Sequence, residues 1–247
     1  MTGQSGTEFN NFIGLRTFYA EKNEVHDASM TTRRSLLRWF TAGAALIAWG
    51  AVLLQFYLSL RLAVANGKGV GWGVVIYFGY FTILTNLLVA LALSVPLVIP
   101  ASAPARFFAR PGVATAIVAA ITLVGAAYFI LLRKAWNPQG WQLAADVALH
   151  YVTPLLFLLY WWFAVPKRGL GWGAIPKWTV YPIGYFVYLL LRGSLTGLYP
   201  YPFIDVSTLG YGRALLNALG VLIGFVAVAA LLVGAARLQS ASATRNE

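Results

Sequence analysis

The chain has 247 residues, of which 60% are hydrophobic and 10% are charged, with a formal net charge of +11. A soluble globular domain carries about 25% charged residues, so this composition excludes the ordinary soluble class and indicates an integral membrane protein. The absence of cysteine excludes disulfides, thiolate metal sites and a cysteine nucleophile. Most basic residues lie in short segments beside apolar stretches, which favours a membrane protein over a nucleic-acid-binding one.

The N-terminal segment is polar and mixed in charge. It lacks the basic stretch followed by an apolar run that marks a signal peptide. We predict a mobile cytoplasmic tail over residues 1–35, a transmembrane domain over residues 36–237, and a short cytoplasmic tail over residues 238–247.

The transmembrane domain is predicted to be an all-α, polytopic bundle of six helices. A helix needs about 20 apolar residues to cross the hydrocarbon core of a bilayer. Six stretches meet this requirement, with Gly and Pro between them: residues 39–64, 74–99, 113–132, 144–165, 178–198 and 214–233. Lys and Arg are more numerous on the side of the tails, so the positive-inside rule predicts that both termini are cytoplasmic.

Polar residues interrupt the second and fourth predicted spans. Thr82, Thr85 and Asn86 have the spacing of one helical face, and Asp146 and His150 are four residues apart. Ionisable groups inside a membrane usually face the bundle interior or a cavity. Both spans run from the outer side inward, so the two groups are expected at similar depth in the outer half of the membrane.

Each of these residues also has a structural explanation. A threonine in a membrane helix commonly bonds its own backbone one turn back, and Asn86 can join two helices. Asp146 can be favoured by the dipole of a helix N-terminus. For His150 no such simple explanation is at hand.

The functional interpretation combines them in one catalytic group. A hydroxyl becomes a good nucleophile when an adjacent base takes its proton, and we predict that His150 activates Thr82. Asp146 would fix the His150 tautomer. Asn86 and Thr85 are predicted to support the site, and the donor to the developing oxyanion is expected among Asn86, Thr85 and the tyrosine hydroxyls. No GxSxG nucleophile motif is present in the sequence.

Substrate contacts are predicted in the fifth span and the loop that follows it. Arg192 is suited to bind a carboxylate in bidentate geometry, and Tyr185 and Tyr188 share its helical face. Tyr201 and Asp205 are placed in the adjoining loop. We expect no metal and no organic cofactor.

Three blocks of the sequence resemble a known family. They are "YFTILTNLLV", "LHYVTPLLFLL" and "YPIGYFVYLLLRGSLTGLYPYPFID", and they resemble the six-span androgen-induced membrane proteins. Those are intramembrane threonine hydrolases of fatty-acid esters of hydroxy fatty acids. The resemblance implies a bacterial relative in the inner membrane, with Thr82 and His150 at the catalytic positions and a lipid ester as substrate. The spacing of the polar residues after Thr82 departs from the family pattern by one, which leaves Thr85 as the alternative nucleophile.

The main alternatives to a hydrolase are a transporter of small solutes or lipids and an accessory membrane protein. The hydrolase requires Thr82 and His150 to lie within hydrogen-bond reach of each other, whereas an accessory protein does not require Thr82, His150 and Asp146 to face one another.

Overall fold

In the computed structural model the backbone is described for residues 4–134 and 137–245, and side chains are described within 28–134 and 137–242. All regular structure in these ranges is helical. The main helices, in chain order, are α1 Gln4–Ala65, α2 Gly69–Tyr77, α3 Phe81–Val98, α4 Ala103–Phe108, α5 Pro111–Ala127, α6 Trp141–Val147, α7 Thr153–Ala164, α8 Ile175–Trp178, α9 Val180–Thr196 and α10 Val206–Arg245.

The chain divides into two compact units. The first, Met1–Phe40, consists over its described part of the beginning of α1, so the segment predicted as a tail is helical from Gln4 onward. The second unit, Thr41–Glu247, contains the rest of α1 and all other helices. Residues 1–3 and 246–247 of the two predicted tails lie outside the described residues.

Five helical stretches are long and apolar enough to cross a membrane: Ala28–Ala65, Phe81–Val98, Pro111–Leu132, Trp141–Ala164 and Val206–Ser242. They correspond to five of the six predicted spans, so the described chain is all-α with several helices suited to a membrane. The stretch predicted at residues 178–198 forms α9, which has 17 residues. This helix is shorter and carries a row of polar side chains.

The second predicted span, residues 74–99, is interrupted. α2 ends at Tyr77 and α3 begins only at Phe81. A helix break inside a membrane is tolerated where the freed backbone groups find partners within the protein. Side chains of α9 donate hydrogen bonds to the freed backbone carbonyls here. Because these donors come from a helix distant in the sequence, the local sequence does not reveal the break.

α5 is the central helix of the second unit, and it packs against α3, α7 and α10. Its buried face contains small residues such as Ala119 and Ala120, which let neighbouring helices approach closely. The largest core cluster combines α5 with the C-terminal half of α3 and with residues such as Trp161 of α7 and Phe225 of α10. Two cavities, described in the next section, lie at the opposite end of the bundle, beside the N-terminal end of α3.

Two π-helical turns, Tyr128–Leu132 after α5 and Ala148–Val152 after α6, shape that end. Pro154 accounts for the second turn, because it has no N–H and its ring crowds the carbonyl four residues earlier, which is that of His150. This carbonyl approaches α5 at Gly125, where a Cβ atom would lie 3.1 Å from it. The close contact brings the two π turns together.

Large apolar side chains are exposed on several outer helix faces, including Leu46, Leu53 and Leu62 of α1 and Leu231 of α10. Extended apolar exposure of this kind is costly in water and is the normal outer surface of a protein surrounded by lipid.

Candidate functional site

A cavity of about 840 Å³ lies at the end of the bundle that contains the π turns. We call it the polar cavity, because polar side chains from several parts of the chain line it. They include Gln55, Ser59, Asn66, Lys68, Tyr77, Tyr80, Thr82, Tyr128, Gln142, Asp146, His150 and Tyr201. Thr82, His150 and Asp146 were predicted from the sequence to lie together, and all three are on this wall.

His150 is held through one ring nitrogen. Its Nδ1 lies 3.2 Å from Asp146 Oδ1 and 3.0 Å from the backbone carbonyl of the same residue. Two oxygen acceptors at one nitrogen favour the tautomer with the proton on Nδ1. The other nitrogen, Nε2, then carries a lone pair, and no hydrogen bond within the described residues occupies it.

Tyr128 completes the support of this pair. Its hydroxyl donates a hydrogen bond to Asp146 Oδ2, and its ring stacks on that of His150 with centroids 3.9 Å apart. Asp146 therefore receives a donor on each carboxylate oxygen, and the imidazole is fixed by a ring contact as well as by hydrogen bonds. This arrangement corresponds to the orienting part of a catalytic triad.

Thr82 lies in the first turn of α3, directly after the break, and is 8% exposed. Its backbone N–H donates to the hydroxyl oxygen of Tyr201 at 3.4 Å. Burial raises the pKa of Tyr201, and its hydrogen bonds with Thr82 offset only part of that rise. The phenol therefore stays protonated, and its hydroxyl is placed beside both the backbone and the side chain of Thr82.

The side chain of Asn86 connects the Thr82 and His150 helices. Its amide donates to Thr82 O at 2.8 Å and to Leu149 O at 3.2 Å. Because both N–H groups are used in this way, the amide is not available to stabilise an oxyanion. Its Oδ1 is buried without a partner among the described residues, so Asn86 acts here as a structural link.

Thr85, the alternative nucleophile, lies on a different side of α3. It is fully buried, its hydroxyl shares a hydrogen bond of 2.9 Å with Tyr181, and it lines neither the polar cavity nor a second, smaller cavity that adjoins it. Of the two threonines, Thr82 is the one with access to a cavity. Among the described residues there is no hydrogen bond between Thr82 Oγ1 and the His150 ring, although the hydrolase requires these groups within hydrogen-bond reach. In the absence of substrate, catalytic hydrogen bonds are often long and tighten only in the complex.

The predicted substrate residues of α9 donate to backbone carbonyls around the helix break, and of these three only Tyr185 also lines a cavity, the smaller one. Tyr185 donates to Gly79 O at 2.9 Å and Tyr188 to Phe78 O at 3.2 Å. Arg192 donates to Val75 O and to Leu198 O, both at 3.0 Å. Its guanidinium is buried and is not part of the wall of either cavity, which favours a structural role.

The two predicted substrate residues in the loop, Asp205 and Tyr201, differ in their access to the cavities. Asp205 directly precedes α10, where its Oδ1 accepts the Ser207 N–H at 2.9 Å as a helix cap. It lines neither cavity. Tyr201 is buried and lies on the wall of both cavities. Of the predicted substrate residues in the loop, Tyr201 is therefore the one at the site.

Sequence reasoning missed several polar residues of the polar cavity, among them Tyr128, Gln55 and Gln142. Tyr128 gave no signal, because a single tyrosine near the end of an apolar helix is common. Gln55 and Gln142 are linked by a hydrogen bond of 2.8 Å, and Gln55 also donates to Ser59 Oγ at 3.3 Å. The spacing of Gln55 and Ser59, four residues apart in an apolar span, was the available signal.

A second, smaller cavity of about 280 Å³ adjoins the first. We call it the apolar cavity, because its lining is aliphatic and aromatic apart from a few hydroxyl groups. The two cavities share Thr82, Tyr128, Leu132 and Tyr201. Thr82 therefore stands where a polar and an apolar space meet.

Among the described residues, no group of three or more His, Cys, Asp or Glu side chains is placed to hold a metal ion. No protein-family model matches the chain, and no curated protein or solved structure matches it either. Function must therefore be inferred from the residues of this chain.

Proposed function

We propose that this protein is an intramembrane hydrolase of lipid esters, with Thr82 as nucleophile and His150 as general base. One observation carries the proposal: an oriented histidine with a free Nε2 shares a cavity wall with a threonine that also borders an apolar space. A hydrolase of amphiphilic esters needs this combination, because the scissile bond lies between an acyl chain and a more polar part.

In the proposed reaction, His150 Nε2 takes the proton of Thr82 Oγ1 as this oxygen attacks the ester carbonyl carbon. The resulting oxyanion accepts the hydrogen of the Tyr201 hydroxyl, and Asp146 stabilises the imidazolium. The imidazolium then protonates the departing alcohol oxygen, which leaves an acyl-threonine ester. Water, deprotonated by His150, hydrolyses this ester and restores Thr82.

The substrate class follows from the resemblance to the six-span androgen-induced membrane proteins, which also places Thr82 and His150 at the catalytic positions. We propose an ester of the fatty-acid ester of hydroxy fatty acid type, or a related acylated lipid. No step requires a metal or an organic cofactor.

We further propose that α9 is a sixth membrane span and that both termini are cytoplasmic. The outer face of α9 exposes a continuous apolar stripe formed by Val180, Ile183, Val187, Leu191 and Leu195. Its opposite face carries the tyrosines and Arg192. A helix with its polar side inward is suited to lipid, and the excess of Lys and Arg on the side of the termini supports the orientation. The cavities then lie in the outer half of a bacterial inner membrane.

Labelling of the purified, detergent-solubilised protein with a fluorophosphonate probe tests the proposal, because the probe reacts with activated hydroxyls. We expect Thr82→Ala and His150→Ala each to reduce labelling to background, and the double variant to lose no more than either single one. Thr85→Ala is the matched control on the same helix and should label like the wild type.

Other outcomes have distinct meanings. Labelling lost only in Thr85→Ala would move the nucleophile by one turn of α3. A folded wild type that does not label at all would refute an activated hydroxyl.

A transporter is the second candidate, because discontinuous helices such as α2–α3 line the substrate sites of many transporters. Here the break carbonyls of Val75, Phe78 and Gly79 already accept hydrogen bonds from α9, so they are not free to bind a solute. Solute uptake into proteoliposomes in the absence of fluorophosphonate labelling would favour this alternative.

A further inference from the structure

The apolar cavity has an exposed mouth between α9 and α10. On the α9 side, Ile183 of its lining is 46% exposed. On the α10 side, Leu215 and Leu219 are each 51% exposed. All three are large aliphatic residues, so the opening faces the hydrocarbon of a surrounding bilayer rather than water.

The inner end of the cavity is buried and holds its polar atoms. Of the residues there, Thr82, Tyr128, Tyr185 and Tyr201 are each less than a tenth exposed. The hydroxyl groups of Tyr128 and Tyr185 already donate to Asp146 and to Gly79. Thr82 and Tyr201 are therefore the groups left to interact with a bound molecule.

We propose that the apolar cavity binds a single acyl chain of a membrane amphiphile, which enters laterally between α9 and α10. The polar end of the chain lies at Thr82 and Tyr201, and its distal end points to the mouth. The inference extends the proposed function by assigning the path of the substrate's chain, but chain binding itself requires no reaction.

The polarity gradient of the lining favours a lipid chain over other occupants. A chain with one polar end matches a cavity whose polar atoms are confined to the inner end, beside the polar cavity. A helix from a second copy would not fit into a space of about 280 Å³.

The open mouth has a further consequence. Lipid tails are as apolar as a leucine-lined wall, so moving a chain from bilayer to cavity gains little hydrophobic free energy. Recognition then depends on the polar end, and methylene groups beyond the length of the cavity remain in the bilayer. Chain length should have no sharp upper limit.

Photo-crosslinking with fatty acids tests the site independently of hydrolysis, because these probes contain no ester. Two probes are used on the protein in lipid nanodiscs, one with a diazirine near the carboxyl group and one with a diazirine near the methyl end. Crosslinked residues are identified by mass spectrometry, with and without excess unlabelled fatty acid.

We expect competable crosslinks from the carboxyl-proximal diazirine at Tyr128 or Tyr201, which are buried at the inner end. The methyl-proximal diazirine should label Ile183, Leu215 or Leu219, at the mouth. The reverse order, or crosslinks spread over exposed residues such as Leu46 of α1 without competition, would overturn the proposal. Both readouts use the wild type, so they do not depend on a variant that folds poorly.

A pair of variants on α10 provides the second readout. Ala218 lines the cavity, whereas Ala227 is exposed on the same helix and does not. Ala218→Phe should reduce competable crosslinking by about tenfold or more, since the ring fills the space, and Ala227→Phe should leave it unchanged. Equal crosslinking in both variants would overturn the site.

Failure of this inference is distinguishable from failure of the hydrolase. His150→Ala should keep the competable crosslinks although it no longer reacts with fluorophosphonate, because His150 lines the polar cavity and not the apolar one. Competable crosslinks in a wild type that does not react with fluorophosphonate would uphold the chain site and refute the hydrolase.

Discussion

Asp146→Asn tests the proposed base most directly, because it removes the carboxylate charge and one of the two acceptor oxygens without changing the size of the side chain. In the wild type, Asp146 Oδ1 lies 3.2 Å from His150 Nδ1, and the Asp146 backbone carbonyl lies 3.0 Å from the same nitrogen. The backbone carbonyl remains in the variant and continues to favour the proton on Nδ1. The expected loss is therefore the charge stabilisation of the imidazolium, not the tautomer.

The magnitude follows from the distance. Unit charges 3.2 Å apart attract by about 5 kcal/mol at an effective dielectric constant of about 20, and by about 1 kcal/mol in bulk water. The side chains are 14% exposed for His150 and 6% for Asp146, so the site lies between these limits. Since about 1.4 kcal/mol corresponds to tenfold in rate, we expect a loss of about 10²-fold to 10³-fold.

The assay measures the rate constant of fluorophosphonate labelling at a fixed probe concentration. Asp205→Asn is the matched control, because Asp205 caps α10 away from both cavities and Asn is an equally good cap. It should label at the wild-type rate. Labelling of folded Asp146→Asn at the wild-type rate would refute the role of Asp146 as the partner of the base.

Two further predictions concern stability, measured as the thermal midpoint of the detergent-solubilised protein. Tyr128→Phe should lower the midpoint, because it leaves a buried oxygen of Asp146 without its donor, which reduces the free energy of unfolding by about 1–3 kcal/mol. An unchanged midpoint would contradict this hydrogen bond. Gly79→Ala places a Cβ 2.7 Å from the Arg192 guanidinium and should lower the midpoint. Gly184→Ala, in open space on α9, should raise the midpoint, because Ala adds about 0.5–1 kcal/mol to the free energy of unfolding. Equal effects of the two glycine substitutions would contradict the close packing at the break.

The positions of five apolar helices could be predicted because a bilayer imposes a length and a composition on any helix that crosses it. The break before Phe81 could not. It depends on hydrogen bonds from α9 to backbone carbonyls more than a hundred residues earlier in the chain, such as that from Tyr185 to Gly79. Likewise, Arg192 was predicted to bind a substrate carboxylate, whereas its partners are backbone carbonyls.

For the site, local spacing was informative where both partners lie on one helix. Asp146 and His150 are one turn apart, and the structure pairs them. Thr82 and Thr85 both lie on α3, but the sequence alone could not decide between them. Only the packing of α3 shows that Thr85 faces Tyr181 while Thr82 borders both cavities.

The sequence by itself therefore determined the helical membrane class and the pairing of an acid with a histidine, since both follow from short-range rules of composition and helical period. The tertiary structure alone decided that Tyr128 stacks on His150 and that Thr82 borders a polar and an apolar space. These contacts depend on two π turns, one caused by Pro154, and on the close approach at Gly125. No local pattern encodes them, because each requires two distant helices to have a particular rotation and separation.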